Sequence, residues 1–129
     1  MSSIQKRIST WVVEMFGEES LSDKDERVLR VLEEALELAQ ALGITREKAS
    51  SLADRVYSRP VGEPVQKVSG VGITIFAMAE SLGVDALQVM ETEYARISDP
   101  NLKTKILKKH LDKVAAGFGL FTNRLKEQP

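Results

Sequence analysis

Residues 27–42 of the chain read RVLRVLEEALELAQAL. Apolar side chains recur there every three or four residues, which is the spacing that lines one face of an α-helix. These positions are Val28, Leu29, Leu32, Leu36, Ala39 and Leu42. Ser22 and Asp23 precede the segment as candidate N-caps, and Gly43 follows it as a natural stop. The stretch therefore predicts a long amphipathic helix.

The same period continues on both sides of this helix. A first helix is predicted to end at Gly17, with an apolar stripe made of Ile4, Ile8, Trp11, Val12 and Met15. A third is predicted to begin at the N-cap Thr45 and to end at Pro60, because the residue before a proline is pushed out of helical geometry. Its inward face should comprise Ala49, Leu52, Ala53, Val56 and Tyr57.

A fourth helix is predicted to start at Pro64, since proline suits the first helical turn. The run from Val65 to Leu82 is apolar nearly all round, so we expect a core helix that is buried on several sides. Gly70 and Gly72 each cost about 1 kcal/mol relative to alanine inside a helix, which predicts a close backbone approach at those positions.

The remaining chain is predicted to form two helices and a tail. Asp85 should cap a fifth helix, Asp99-Pro100 should open a sixth, and residues 117–121 should form a turn with an apolar anchor. No stretch alternates like a strand. We therefore predict an all-α protein, a helical bundle of about five to six helices in a single domain spanning residues 1–129.

Composition narrows the function. The net charge of −1 argues against a nucleic-acid binder, and the absence of cysteine removes thiolate metal sites and disulfides. The single histidine, His110, argues against a histidine metal cluster and leaves at most the role of a lone base. No apolar run approaches a membrane span and no leader is evident, so we expect a soluble cytoplasmic protein with neither membrane nor nucleic-acid partner.

Three acids stand together on the helix predicted for residues 27–42. Glu34 and Glu37 are three residues apart and Glu33 and Glu37 four, so all three should point to neighbouring places on one face. Their mutual repulsion favours a cation, and carboxylate oxygens without cysteine suit Mg²⁺. Solvated glutamates on a helix surface are the plain alternative.

The segment from Arg27 to Ala41, followed by Arg59-Pro60-Val61-Gly62-Glu63-Pro64 and the apolar helix after it, resembles the MazG-like all-α nucleoside triphosphate pyrophosphohydrolases. The resemblance covers roughly residues 4–97 and is nearest to the phage branch described as dATP/dGTP pyrophosphohydrolases. It implies that Glu34 and Glu37 hold Mg²⁺, with Mn²⁺ as a substitute, and serve as catalytic residues. The helical spacing adds Glu33 as a further candidate metal ligand. The resemblance also implies cleavage of a nucleoside triphosphate to monophosphate and pyrophosphate by a homodimer or homotetramer.

Two positions depart from the family pattern. Lys67 stands where the second motif has a glutamate, and Gly70 stands where it has an aspartate. Lys67 could pair with the acids in place of a metal, or it could reach a phosphate as a point charge. An active enzyme and a catalytically degenerate nucleotide-binding or interaction module therefore both stay open. A helical interaction module that binds neither metal nor nucleotide is a third reading.

Basic residues near these motifs are the candidate substrate ligands. Arg30, Arg59, Lys67 and Lys103 are predicted to contact phosphate, and Lys105 is a further cation to test. Trp11 could stack on a base, although its spacing within the first apolar stripe favours core packing.

Overall fold

The computed structural model describes residues 2–127, and over that range every regular element is helical. This confirms the all-α prediction. The α-helices, numbered in chain order, are α1 Ser3–Phe16, α2 Glu18–Ser22, α3 Lys24–Ala41, α4 Arg46–Tyr57, α5 Pro64–Ser81, α6 Ala86–Ile97, α7 Lys103–Ala115 and α8 Asn123–Lys126. A 3₁₀ helix, Pro100–Leu102, leads into α7.

Most helix boundaries lie where the capping residues predicted them. Asp23 accepts hydrogen bonds from the backbone N–H groups of Asp25 and Glu26 at the start of α3. Thr45 caps α4 and Asp85 caps α6 in the same way. Gly17 ends α1 with φ of +100°, a left-handed backbone geometry that side chains disfavour.

Three short elements separate this structure from the predicted five to six helices. Gly17 ends α1, but the chain turns at once into the five-residue α2, whose Glu18 and Glu19 suit a helix N-terminus. Asp99-Pro100 opens a 3₁₀ turn before α7 begins, because the Asp99 carboxylate accepts the N–H of Asn101. The predicted apolar anchor at residues 117–121 is wrong, because Phe118 and Phe121 are 53% and 51% exposed; the buried side chain of the tail is Leu125, on the short helix α8 that follows.

The chain falls into two compact units, one formed by residues up to Glu34 together with those from Glu91 onward, the other by Ala35–Met90. The first unit contains the buried hydrophobic cluster. It consists of Val12, Met15, Phe16, Leu107 and Leu125, with Trp11, Leu21 and Ile106 packed against it. Helices α1, α7 and α8 therefore share one core, and the C-terminal segment is part of it.

The unit Ala35–Met90 contains α4 and α5 and buries little of its apolar surface in the single chain. The predicted burial of α5 on several sides is not met, because only Ala79 of that helix is buried and Val65, Val68 and Ile73 are 72%, 73% and 70% exposed. The predicted inward face of α4 is also open, with no buried residue. A Cβ at Gly70 or Gly72 would meet nothing within 4 Å, so no residue from 2 to 127 makes the predicted close approach to these glycines.

Among the described residues, no single helix has both the length and the apolarity to cross a bilayer. Helices α5 and α6, bent by 98° at the break between them, pass that test only as a pair.

Candidate functional site

The three predicted acids all lie on α3, which is continuous from Lys24 to Ala41. Helical geometry therefore places Glu34 and Glu37 on one face with a separation of one turn, as their spacing predicted. Leu32 and Leu36, which alternate with the acids, are 51% and 49% exposed. The acids thus border an apolar face that the single chain leaves open.

Glu33 differs from the other two because it is already paired. Nζ of Lys113, on α7, lies 2.7 Å from its Oε1, and a guanidinium nitrogen of Arg30 lies 3.8 Å from its Oε2. Both carboxylate oxygens of Glu33 are thus close to a cation of the chain itself. A metal ion would have to compete with Lys113 for this side chain.

Glu34 and Glu37 are exposed, and neither forms an ion pair with any residue of the range 2–127. Within that range no three side chains of the histidine, cysteine, aspartate and glutamate types are grouped to hold a metal. Mg²⁺, however, needs only one or two protein carboxylates and completes its shell with water and substrate phosphate. The pair Glu34 and Glu37 therefore fits a Mg²⁺ ion that is bound together with a phosphate ligand.

Arg30 turns toward the C-terminal loop. A Cβ at Gly119 would lie 3.0 Å from one of its guanidinium nitrogens, and both terminal nitrogens are buried with no hydrogen-bond partner among residues 2–127. Its side chain is 18% exposed. The predicted phosphate ligand is therefore largely covered in this structure.

The loop before α5 is organised by Glu63. Its carboxylate accepts the backbone N–H groups of Val65 and Gln66 at 3.1 and 2.8 Å, and these hydrogen bonds hold the pKa of Glu63 below its usual value. The side chain of Lys67 folds back over this loop and lies against Gly62, so close that a Cβ at that position would collide with its Cε. Lys67 and Arg59 are both exposed, and within residues 2–127 neither has a carboxylate at ion-pair distance.

Lys103 and Lys105 lie at the start of α7, and both are exposed. Lys103 is ten residues before Lys113 on the same helix, which corresponds to about 15 Å of axial rise. Because Lys113 contacts Glu33, the structure does not bring Lys103 next to the paired carboxylate. Trp11 is half-buried and packs on the hydrophobic core, as its spacing favoured.

A buried polar cluster that the sequence did not reveal lies around Glu26, which is 1% exposed. Its carboxylate accepts the hydroxyl of Ser20, the guanidinium of Arg27 at 2.5 Å and the backbone N–H of Leu120 at 2.5 Å. Nε2 of His110 lies 3.8 Å from the same carboxylate, and the imidazole ring stacks on Phe16 with centroids 4.1 Å apart. His110 is 4% exposed, so it is a packed core residue rather than an accessible base.

The two acid–base groups of this cluster both lose affinity for protons on folding. Burial raises the pKa of Glu26, but the hydrogen bonds from Ser20 and Leu120 and the nearby positive charges outweigh it, so the net pKa is lowered. Burial lowers the pKa of His110, and the cations Arg30, Arg27 and Lys113 lower it further against the opposing charge of Glu26. A neutral His110 beside an ionised Glu26 is the stable arrangement.

No protein-family model, curated protein or solved structure matches this chain. The sequence analysis did not predict the role of Lys113 or the Glu26 cluster. Five lysines lie on α7, and nothing in the sequence indicates which of them pairs with Glu33.

Proposed function

We propose that this protein is a Mg²⁺-dependent nucleoside triphosphate pyrophosphohydrolase of the MazG-like kind. Its substrate would be a purine deoxynucleoside triphosphate such as dGTP or dATP, and its products the monophosphate and pyrophosphate. The observation that carries the proposal is the pair Glu34 and Glu37, exposed, unpaired within residues 2–127 and one turn apart on α3. Two such carboxylates match what Mg²⁺ takes from a protein when phosphate supplies further ligands.

Beyond Glu34 and Glu37, the proposed reaction requires few groups from the chain. Glu34 and Glu37 would hold Mg²⁺, or Mn²⁺ in its place, and the ion would supply positive charge against the charge that develops on the phosphate oxygens. One carboxylate oxygen of the pair would orient the attacking water and accept its proton. The water oxygen bonds to the α-phosphorus, the bond to the bridging α–β oxygen breaks, and pyrophosphate leaves with that electron pair.

Lys67 fits this proposal as a phosphate ligand. The alternative role, a permanent ion pair with the acids, is not found among residues 2–127, where Lys67 folds over Gly62 and has no carboxylate partner. An exposed lysine on a flexible stem can reach a phosphate as a point charge. Arg59, exposed at the start of the same loop, is proposed to act alongside it.

A catalytically degenerate nucleotide-binding module is the second candidate. Two observations favour it: Glu33 is occupied by Lys113, and glycine and lysine stand at the two positions where the resembling family has acids. Such a protein would bind nucleotide through its cations without releasing pyrophosphate.

We also propose that the chain acts as a homodimer or homotetramer. Val65, Val68, Gly72 and Phe76 follow one another at spacings of three and four, so they form one face of α5. The three apolar side chains of this face are 72%, 73% and 53% exposed, and the space over Gly72 is open. Exposed apolar faces of this extent mark interaction sites, and a second copy of α5 presents the same shape and polarity.

The hydrolase proposal is tested by ³¹P NMR of dGTP and dATP incubated with the protein and Mg²⁺. We expect monophosphate and pyrophosphate as products, and a loss of roughly 10²- to 10³-fold in rate for Glu34→Gln and for Glu37→Gln. Glu47→Gln is the matched control, since it removes an exposed helix glutamate outside the acid group. Nucleotide binding without any pyrophosphate release at saturating Mg²⁺ would instead establish the degenerate module.

A further inference from the structure

An open cavity of about 290 Å³ lies beside α1, the 3₁₀ helix and the start of α7. Trp11, Met15 and Ile97 give it an apolar wall, while Lys103, Glu14 and Asp99 contribute charge. Small-molecule pockets span roughly 300–1,000 Å³, so this one is at the small end of the range. It suits a ligand of mononucleotide size or smaller.

Trp11 gives the cavity a rigid aromatic surface. Its indole meets the ring of Phe16 edge-on, with centroids 5.6 Å apart and an interplanar angle of 89°. Trp11 thus packs against the hydrophobic core and is also a lining residue of the cavity. A nucleobase can stack on such a ring, because every base has an apolar π-face.

The charged groups of the cavity are not equivalent. Asp99 is committed to capping, because its carboxylate accepts the N–H of Asn101 at 2.9 Å. Lys103 has no ion-pair partner within residues 2–127, and it is the first residue of α7, where the helix dipole is positive. Arg124 forms another side of the cavity and donates from Nε to the backbone oxygen of Glu14 at 3.1 Å.

These features select for a ligand with three properties. A planar ring suits Trp11, an anionic group suits Lys103, and adjacent N–H donors on the ring edge suit the carboxylate of Glu14, which forms no ion pair within the described range. Guanine is the common nucleobase whose edge presents adjacent N–H donors to a carboxylate.

We propose that the Trp11 cavity binds a purine nucleoside monophosphate, with guanine preferred. The phosphate would lie at Lys103 and the base against Trp11. This site is separate from the acid pair of α3, since Lys103 lies about 15 Å along α7 from the lysine that contacts Glu33. Binding here needs no metal and does not rest on the proposed hydrolysis.

Trp11 makes the test direct, because it is the only tryptophan of the chain. Its fluorescence is measured while the full-length protein is titrated with dGMP in the presence of EDTA. Guanosine and ribose 5-phosphate are titrated separately as ring-only and phosphate-only probes. We expect saturable quenching by dGMP, much weaker quenching by guanosine and none by ribose 5-phosphate.

Matched lysine variants locate the phosphate. Lys103→Ala should weaken dGMP binding by roughly tenfold, while Lys109→Ala, an exposed lysine of the same helix outside the cavity lining, should leave it unchanged. The titration contains EDTA and uses a nucleotide that the proposed hydrolase does not cleave, so a failed hydrolase proposal would not affect this result. Absence of saturable quenching, equal affinity for guanosine and dGMP, or equal weakening in the two lysine variants would overturn the proposal.

Discussion

Nζ of Lys113 lies 2.7 Å from Oε1 of Glu33, and this contact divides the acidic group of α3 into one paired and two available carboxylates. Both residues are about one-third exposed, so the ion pair is weak enough for a divalent cation to compete with it. In the proposed metal site, Lys113 therefore reduces the number of carboxylates on α3 that are available to an ion from three to two.

Removal of the Lys113 charge should strengthen metal binding. Lys113→Met keeps most of the aliphatic stem and frees Oε1 of Glu33 as a third carboxylate ligand, while Arg30 stays 3.8 Å from Oε2. We therefore expect Mn²⁺ affinity, measured by electron paramagnetic resonance, to rise roughly threefold to tenfold. The free energy of unfolding should change by less than about 1 kcal/mol. Lys109→Met, an exposed lysine on the same helix, is the control, and equal Mn²⁺ affinity in the two variants would refute this role.

The Glu26 cluster predicts a loss of stability in acid. Folding lowers the pKa of both His110 and Glu26, so the folded state binds fewer protons than the unfolded state, whose histidine and glutamate titrate near 6.5 and 4.3. The free energy of unfolding should therefore be highest at neutral pH. It should decline as the pH falls below about 6.5 and through the lowered pKa of His110, and decline further as the pH falls through the lowered pKa of Glu26. Urea denaturation of the wild type over this range measures the decline.

A His110→Gln variant isolates the histidine part of that decline. It removes the titrating imidazole, so the slope of unfolding free energy between neutral pH and the glutamate range should flatten, while the loss below it persists. An unchanged slope in this variant would show that His110 is not the group responsible.

The C-terminal segment should contribute to stability as a core element. Leu125 is 3% exposed, and the hydroxyl of Thr122 donates to the backbone oxygen of Phe16. Leu125→Ala should therefore lower the free energy of unfolding by about 3 kcal/mol. Val61→Ala, at a side chain that is 100% exposed, should change it little, and similar urea midpoints for the two variants would disprove the packed position of α8.

The exposed face of α5 predicts self-association. Sedimentation velocity of the wild type should show a dimer or tetramer, and Val68→Asp combined with Phe76→Asp should shift it to the monomer, because charges in an apolar interface are costly to bury. Val61→Asp is the control for an added charge on an exposed loop. A monomeric wild type would eliminate the proposed interface.

The sequence predicted the helices well because their signals are local. Asp23, Thr45 and Asp85 cap the helices they were expected to cap, and Gly17 ends α1, since each acts on backbone groups a few residues away. The prediction that α5 is buried was wrong for the single chain. An apolar pattern on all sides of a helix indicates that other residues should cover it, but not whether they belong to the same chain or to a second copy.

For the candidate site too, local features could be predicted from the sequence and contacts between distant residues could not. The spacing of Glu34 and Glu37 follows from one helix and could be deduced, whereas the pairing of Glu33 with Lys113 joins positions 80 residues apart and could not. The Glu26 cluster also combines distant residues, from Ser20 to Leu120, and a glutamate in a helical stretch carries no mark of burial.

The most direct test of the acid pair is the binding of Mn²⁺ in the presence of a non-hydrolysable dGTP analogue, followed by electron paramagnetic resonance. We predict that the wild type and Glu47→Gln bind Mn²⁺ equally well, and that Glu34→Gln and Glu37→Gln bind it at least roughly tenfold more weakly. The same Mn²⁺ affinity in all four proteins would contradict a metal site at Glu34 and Glu37.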